Sequence, residues 1–416
     1  MSRPSRHYVL AAGGTGGHLI PAFALATELH QRGHRVALIT DARGAEIPGR
    51  PDFLGAYVLP AGRLQGKNPL NWWRGLMAIR AGRAQARALY AELEPACVVG
   101  FGGYPAFPAL SAAAGMKIPT VIHEQNAVLG RVNRLLAGRV DAIATAYAHV
   151  ARLAGAHQAK AHLVGNPVRP EVLALRGEPF PAFAPDGLLR VLVTGGSQGA
   201  RVLSEVVPDA LAMLPPALAT RLQVTQQARG PDIDAVRVRY ASHDIPAELA
   251  TYFEDMATRL ADAHLFIGRS GASTIAELTA VGRPAILIPL PGATDDHQAA
   301  NAREMAASGG ARMMRQPAVT TIDVDRLPEH RRNAMMLAQS DGYQEMAKEL
   351  CRQIRAIAQN PETLANAAHA AWNCGLPNAT RDLADLVEAF GGAPLMDVIR
   401  VAEGRAKAGA PRGALA

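Results

Sequence analysis

The chain of 416 residues is poor in the features that mark secreted or membrane-spanning proteins. Its three cysteines, Cys97, Cys351 and Cys374, lie far apart and form no C-x-x-C pair, which argues against a disulfide framework and against a cysteine-based zinc site. No apolar run approaches the roughly 18 residues of a spanning helix. The opening Met1-Ser2-Arg3-Pro4-Ser5-Arg6 runs directly into a strand pattern, with no room for a signal peptide. A reducing, cytosolic setting is expected. Both common nucleotide fingerprints are also missing: Gly14-Thr15-Gly16-Gly17-His18-Leu19 lacks the third glycine of G-x-G-x-x-G, and no Gly-Lys-Ser/Thr follows to make a P-loop. Finally, residues 62–90 contain no acidic side chain.

What is present is a composition 49% hydrophobic and a formal net charge of +7. The length suggests two domains of about 150 to 200 residues each. The charge suggests an anionic partner without choosing among nucleotide phosphates, nucleic acid and an acidic membrane surface.

The apolar run His7-Tyr8-Val9-Leu10, the loop Gly13-Gly14-Thr15-Gly16-Gly17-His18 and an Ala/Leu-rich pattern read as strand, glycine loop and helix. Amides at such a helix start can approach an anionic or sugar-like ligand closely. His34 to Thr40 completes a βαβ unit, the start of a parallel sheet, and Asp41 after it reads as a solvated strand end. Strands at 96–101 and 120–122 are followed by Gly102-Gly103-Tyr104-Pro105 and His123-Glu124-Gln125-Asn126. In doubly wound sheets, ligands bind beyond the carboxyl ends of the strands. His18, Tyr104, His123, Glu124 and Asn126 are therefore expected on one rim, with a helix cap as the bland alternative for Glu124.

Prolines at Gly165-Asn166-Pro167-Val168-Arg169-Pro170 suggest a hinge, after which the opening pattern returns. Leu188 to Thr194 is a strand, Gly195-Gly196-Ser197-Gln198-Gly199-Ala200 a loop, and a helix follows. A later junction, Gly268-Arg269-Ser270-Gly271-Ala272-Ser273-Thr274-Ile275-Ala276-Glu277, again suits a phosphate, with Glu277 placed to accept from ribose hydroxyls. Its bland alternative is a capping box of Ser273 and Glu277. Asp296, His297, Gln298 and Asn301 open a further helix. Asp323-Val324-Asp325 is too short a D-x-D to carry a metal site. The segment around Leu70, Trp72, Trp73, Leu76 and Met77, with Arg74 and Arg80 among its basic residues, has two readings. One is an amphipathic helix packed on its own domain. The other is a surface that dips apolar side chains into anionic lipid.

Together these motifs resemble the MurG family of bacterial glycosyltransferases, which move N-acetylglucosamine from UDP-N-acetylglucosamine to lipid I, the undecaprenyl-diphosphate-linked muramoylpentapeptide, to give lipid II. The resemblance rests on GGTGGH at 13–18, FGGYP at 101–105, HEQN at 123–126, GNPVR at 165–169, GGSQGA at 195–200, RSGAST at 269–274 with Glu277, and DDHQAANA at 295–302. Residues 324–350 are longer than the family pattern. The resemblance implies an α/β protein of GT-B architecture, two Rossmann-like domains with parallel sheets facing across a cleft. Their expected limits are 1–164 for an acceptor and membrane-side domain and 165–390 for a UDP-sugar domain, whose last helix packs back towards the first. A disordered tail, 391–416, follows.

Carried over by residue, the resemblance implies that Thr15, Gly16, Gly17 and Asn126 reach the sugar and acceptor, with Gly13, Gly14, Tyr104 and Asn133 on the acceptor side. Arg169 and Ser197 bind near the diphosphate, the backbone near Phe253 meets the uracil, and Ala272, Ser273, Thr274 and Glu277 hold phosphates and ribose. His297 and Gln298 meet the sugar. The implied chemistry is inverting displacement by the muramoyl 4-hydroxyl, with His18 as first choice of base and Glu124 as second. It calls for no metal, cofactor or nucleic acid, and places the enzyme peripherally on the cytoplasmic face of the inner membrane. Two other readings are a non-hydrolysing UDP-N-acetylglucosamine 2-epimerase of related fold and a membrane-associated protein that binds nucleotide sugars without chemistry.

Overall fold

The computed structural model describes residues 5–62, 69–184, 186–196 and 199–392. Ser197 and Gln198 of the second glycine loop lie outside them, as do the basic residues Arg63 and Lys67 and the expected tail from 393 onward. The chain divides into two compact units, one of residues up to Val168 together with those from Pro377, the other from Arg169 to Leu376.

In the first unit the described strands are β1 (His7–Ala12), β2 (Arg35–Thr40), β3 (Gly55–Val58), β4 (Cys97–Gly102), β5 (Thr120–Glu124), β6 (Ala142–Thr145) and β7 (Ala161–Leu163). They form a parallel sheet in the order β3-β2-β1-β4-β5-β6-β7. The central strands read as unbroken apolar runs because both faces are covered. Tyr8 and Leu10 face one core and Val9 and Ala11 the other. The first core takes in Leu383, Ala384, Leu386 and Val387 from the helix Ala379–Phe390. That helix is tied to α1 (Gly16–Gln31) by Arg32, which donates to Asp385 at 2.7 Å and Glu388 at 2.8 Å. His34, buried, sits 2.8 Å from the other oxygen of Glu388.

The second unit has β8 (Leu189–Thr194), β9 (Leu222–Gln227), β10 (Ala247–Ala250), β11 (Leu265–Gly268), β12 (Ala285–Leu287) and β13 (Ala311–Met313), all parallel, in the order β10-β9-β8-β11-β12-β13. Each sheet thus reverses its strand order once, at β1/β4 and at β8/β11. A crevice opens beyond the carboxyl ends of strands at such a switch point, where the two neighbouring loops diverge to opposite faces. Both glycine loops and the Arg269 to Glu277 junction stand at these two places. Other expected site residues stand elsewhere: His123 to Asn126 at the end of β5, Phe253 after β10, and His297 and Gln298 after β12.

Candidate active site

In the first unit, β1 ends against β4 with a one-residue slip: Ala11 pairs with Gly100 but Ala12 with Gly102. The slip leaves Gly102 and Gly103 at φ +92° and +79°, a region that favours glycine. The chain then passes so close to Gly13 that a Cβ there would lie 2.8 Å from the Gly103 Cα. This close approach brings the two loops together and sets the His18 ring beside Gly102 and Gly103. Thr15 is the N-cap of α1 but makes no side-chain cap bond. Thr15 and Gly17 are exposed, so the start of α1 is presented to solvent.

A chain of hydrogen bonds fixes the state of His18. His123 Nε2 lies 2.9 Å from the Gly165 carbonyl, which can only accept, so Nε2 carries the proton and Nδ1 the lone pair. Nδ1 then accepts from Gln125 Nε2 at 3.0 Å, and the same amide donates to Phe101 O at 3.0 Å. The amide oxygen is thereby turned to His18 Nδ1, 3.2 Å away, which donates to it. A neutral His18 therefore holds its lone pair on Nε2. His123 is fully buried, and burial, with His18 nearby, pulls its pKa down to about 4 against the opposing hydrogen bond to Gly165. It stays neutral near pH 7, so the relay keeps one sense. Gln125, inside the HEQN motif, carries a role that the sequence reading did not assign. His123, expected on the open rim, instead lies beneath it.

Glu124 is only 2% exposed. Its Oε1 accepts from the Asn126 backbone at 3.1 Å and side chain at 3.2 Å, and its Oε2 from Gly130 N at 2.8 Å and Asn133 Nδ2 at 2.9 Å. Gly130 is the N-cap of the helix Arg131–Leu136, so the carboxylate does hold a helix start, as the bland reading proposed. Four donors occupy it, which leaves it poorly placed to take a substrate proton. Asn133 is corrected with it: 2% exposed, it spends its amide on Glu124 and on the His123 carbonyl rather than facing an acceptor. Asn126 and Tyr104 are partly exposed. Asp41 is more than a solvated strand end, since its Oδ1 accepts from Gly44 N at 2.9 Å and caps a short helix.

In the second unit, Ala272, Ser273, Thr274 and Glu277 lie on the helix Ala272–Val281, whose N-cap is Gly271 with no side-chain cap bond. The capping-box alternative is thereby removed. Ser273 Oγ is shielded from solvent and has no hydrogen-bond partner, a costly state that a ligand oxygen would relieve. Arg169 grips Glu277 with two bonds, Nε to Oε1 at 2.7 Å and a terminal nitrogen to Oε2 at 3.1 Å. Burial opposes the Arg169 charge, but Glu277 more than offsets it and the pKa rises. Two residues expected at the diphosphate and ribose are thus paired with each other.

Next to them the Arg269 guanidinium is buried and donates to the carbonyls of Ile288 and Pro289 and to Gln316. Burial brings its pKa down to about 10. Gln298 accepts from Leu290 N at 2.9 Å, Ser270 Oγ donates to the Gln298 carbonyl at 2.8 Å, and His297 Nδ1 donates to Thr294 O at 2.7 Å. Before this helix, Asp295 and Asp296 hold φ of +58° and +55°, the kind of local strain found at ligand-binding turns. The Phe253 side chain is 5% exposed, under the Arg259 guanidinium.

The basic segment forms α3 (Pro69–Leu93) when the helices are counted along the chain with the Asp41-capped turn Ala42–Ala45 as α2. Leu70, Trp72, Trp73, Leu76 and Met77 are all exposed, Trp73 at 60%, and Arg74 and Arg80 are exposed among them. The apolar side chains of the first two turns thus face solvent, while Gly75 among them is buried against Gly62. No helix among the described residues is long and apolar enough to cross a membrane.

Two family models match the chain: the glycosyltransferase family 28 N-terminal domain over residues 8–145 and its C-terminal domain over residues 190–360. A UDP-N-acetylglucosamine–N-acetylmuramyl-(pentapeptide) pyrophosphoryl-undecaprenol N-acetylglucosamine transferase of Novosphingobium aromaticivorans is 69% identical over 96% of both chains. The crystal structure of MurG from Acinetobacter baumannii superposes with a TM-score of 0.70 at 27% identity, covering 92% of this chain and 99% of its own. A putative UDP-N-acetylglucosamine 2-epimerase from Listeria monocytogenes shares the fold, with a TM-score of 0.59 at 13% identity over 93% and 96% of the two chains.

Proposed function

We infer the reaction from one premise, that the chain belongs to glycosyltransferase family 28 and within it to the MurG transferases. It transfers N-acetylglucosamine from UDP-N-acetylglucosamine to the lipid-linked muramoylpentapeptide of lipid I, forming lipid II for peptidoglycan. The second unit binds the nucleotide sugar and the first the acceptor.

The observation that carries the mechanism is the relay from the Gly165 carbonyl through His123 and Gln125 to His18. It supports His18 Nε2 as the base that takes the proton of the attacking 4-hydroxyl. The hydroxyl oxygen forms its bond to the anomeric carbon as the bond to UDP breaks, with inversion. Glu124 holds the Asn126 and Gly130 backbone in place and leaves the base role to His18. On the donor side, Ser273 Oγ and the first-turn amides of Ala272–Val281 meet the diphosphate, where negative charge grows as UDP departs. Glu277, oriented by Arg169, accepts from the ribose hydroxyls. Ser197, His297, Gln298 and the backbone near Phe253 complete the nucleotide-sugar site. The exposed Trp72 and Trp73 face, with Arg74 and Arg80, seats the enzyme on the anionic cytoplasmic surface of the membrane.

Mixing the enzyme with UDP-N-acetylglucosamine, with and without a lipid I analogue, tests the reaction. Release of UDP and a disaccharide product only with acceptor is expected. An isomerised nucleotide sugar without acceptor would favour the epimerase, and no product in either tube would favour a binding protein. For the membrane face, Trp72→Ser with Trp73→Ser should weaken binding to anionic liposomes, and unchanged binding would refute it.

A further inference from the structure

Asp41 takes no part in the proposed transfer, although it does more than end a strand. It lines a cavity of about 410 Å³ in the first unit, together with Val58, Pro60, Ala61, Gln85 and Tyr104. That volume lies in the range of small-molecule sites. The cavity opens at the carboxyl ends of β2 and β3, under α3, and its Tyr104 wall belongs to the loop after β4.

The cavity adjoins the glycine loop that carries His18. A Cβ on Gly14 would lie 2.2 Å from Asp41 Oδ1 and 2.8 Å from Gly44 N, so the Gly14 backbone rests directly against the Asp41 side. From the other flank, Gly103, next to Tyr104, presses on Gly13. The Gly14 contact thus sets one wall of the cavity beside the loop that carries His18.

The Asp41 carboxylate is half committed. Oδ1 accepts from Gly44 N at 2.9 Å, while among the described residues Oδ2 has a 3.6 Å approach from the mostly exposed Arg43. A carboxylate has about four acceptor positions, so Asp41 retains capacity for donors inside a cavity that is otherwise largely apolar on its Val58, Pro60 and Ala61 side. Such a carboxylate favours N–H groups.

The acceptor offers a matching group. Its peptide is joined through the lactyl ether on the sugar carbon next to the reacting hydroxyl, so the stem begins beside the point of proton removal. Five extended residues span at most roughly 17 Å, so the whole stem stays within that reach of the reacting hydroxyl.

We propose that this cavity is the subsite for the peptide stem of the acceptor, with Asp41 accepting hydrogen bonds from stem N–H groups and Gln85 and Tyr104 flanking it. The proposal rests on the transferase reading above and extends it from the reacting sugar to peptide recognition.

The test is steady-state kinetics with two lipid-linked acceptors, one carrying the pentapeptide and one in which the lactyl carboxyl is capped as a simple amide. Asp41→Asn keeps an oxygen for Gly44 N and removes the charge. It should raise KM for the pentapeptide acceptor roughly tenfold, leaving kcat, the KM for UDP-N-acetylglucosamine and the KM for the capped acceptor within about twofold. Ala61→Phe, which adds bulk to the cavity wall and keeps the Asp41 charge, should give the same split. An equal rise for both acceptors, or no rise for either, overturns the subsite. Failure of the wild-type enzyme to glycosylate the pentapeptide acceptor would instead overturn the transferase reading itself, and the subsite with it.

Discussion

The two units share a strand order and a switch point, yet their rims are built for different tasks. On the first rim the polar groups satisfy one another: Glu124 is saturated by four donors, and His123, Gln125 and His18 form one chain. On the second rim one neutral donor is waiting, while the cationic side chains already hold protein acceptors. Ser273 Oγ is buried without a partner, and Arg169 can exchange part of its grip on Glu277 for a ligand. A relay whose bonds each run in one direction holds a proton acceptor in one state. A rim with unmet donors gains most when a polyanion arrives. On the proposed mechanism, the same strand-loop-helix scaffold serves proton transfer in one copy and anion binding in the other.

The largest expected effect separates the rims kinetically. His18→Ala should lower kcat by about 10²- to 10⁴-fold, the usual range for a lost general base, with UDP-N-acetylglucosamine affinity unchanged in calorimetry. If the variant kept most of its turnover, the base would lie elsewhere and the first rim would lose its assigned task.

A second prediction concerns the burial of His123. Its pKa of about 4 lies below the ordinary histidine value of 6.5, so the unfolded chain binds more protons between these values. The stability this group contributes is fully present above about pH 6.5 and is lost as pH falls towards 4, at about 3 kcal/mol in all. Urea melts followed on the first unit should show this slope, and His123→Asn should flatten it. An unaltered slope in the variant would mean that other groups carry the acid sensitivity.

The third prediction turns to the donor side. Glu277→Ala removes charge-assisted bonds worth about 1.5–3 kcal/mol, so nucleotide-sugar affinity should fall roughly 10- to 100-fold in the same calorimetric assay. With saturating donor, kcat should stay near wild type. A loss of kcat with unchanged affinity would reverse the roles assigned to the two rims.

Much of this contrast was legible in the sequence, for identifiable reasons. Strands buried on both faces write themselves as continuous apolar runs, and glycine loops at their ends mark where backbone must approach closely, so the βαβ starts at His7 and Leu188 could be read directly. Side-chain direction could not. Ser273 and Glu277 have nearly the spacing of a capping box, but the helix begins at Gly271 and leaves Ser273 inside the first turn. Glu124 and Asn133 look like acceptor-facing polar groups, and only the turn of the chain at Gly130 shows that they bind each other. Gln125 draws its importance from contacts to residues 24 and 107 positions away. Asp41 gained a role only because Gly14, distant in sequence, packs against it.

The smallest effect expected tests what the glycines of the first loop are for. Gly13 is held against Gly103, so Gly13→Ala must force two backbones apart and should cost about 1–3 kcal/mol of stability. A Cβ on Gly17 would meet nothing within 4 Å, and Gly17 lies in the first turn of α1, where alanine is the better helix former by up to about 1 kcal/mol. Gly17→Ala should therefore leave the melt unchanged or raise it slightly, while raising the KM for the acceptor about two- to tenfold because the added methyl occupies open rim (~1 kcal/mol). Equal destabilisation by the two substitutions would show that the whole loop is packing. A neutral melt with an unchanged acceptor KM for Gly17→Ala would remove that position from the acceptor surface and confine contact to His18 and the loop after β4.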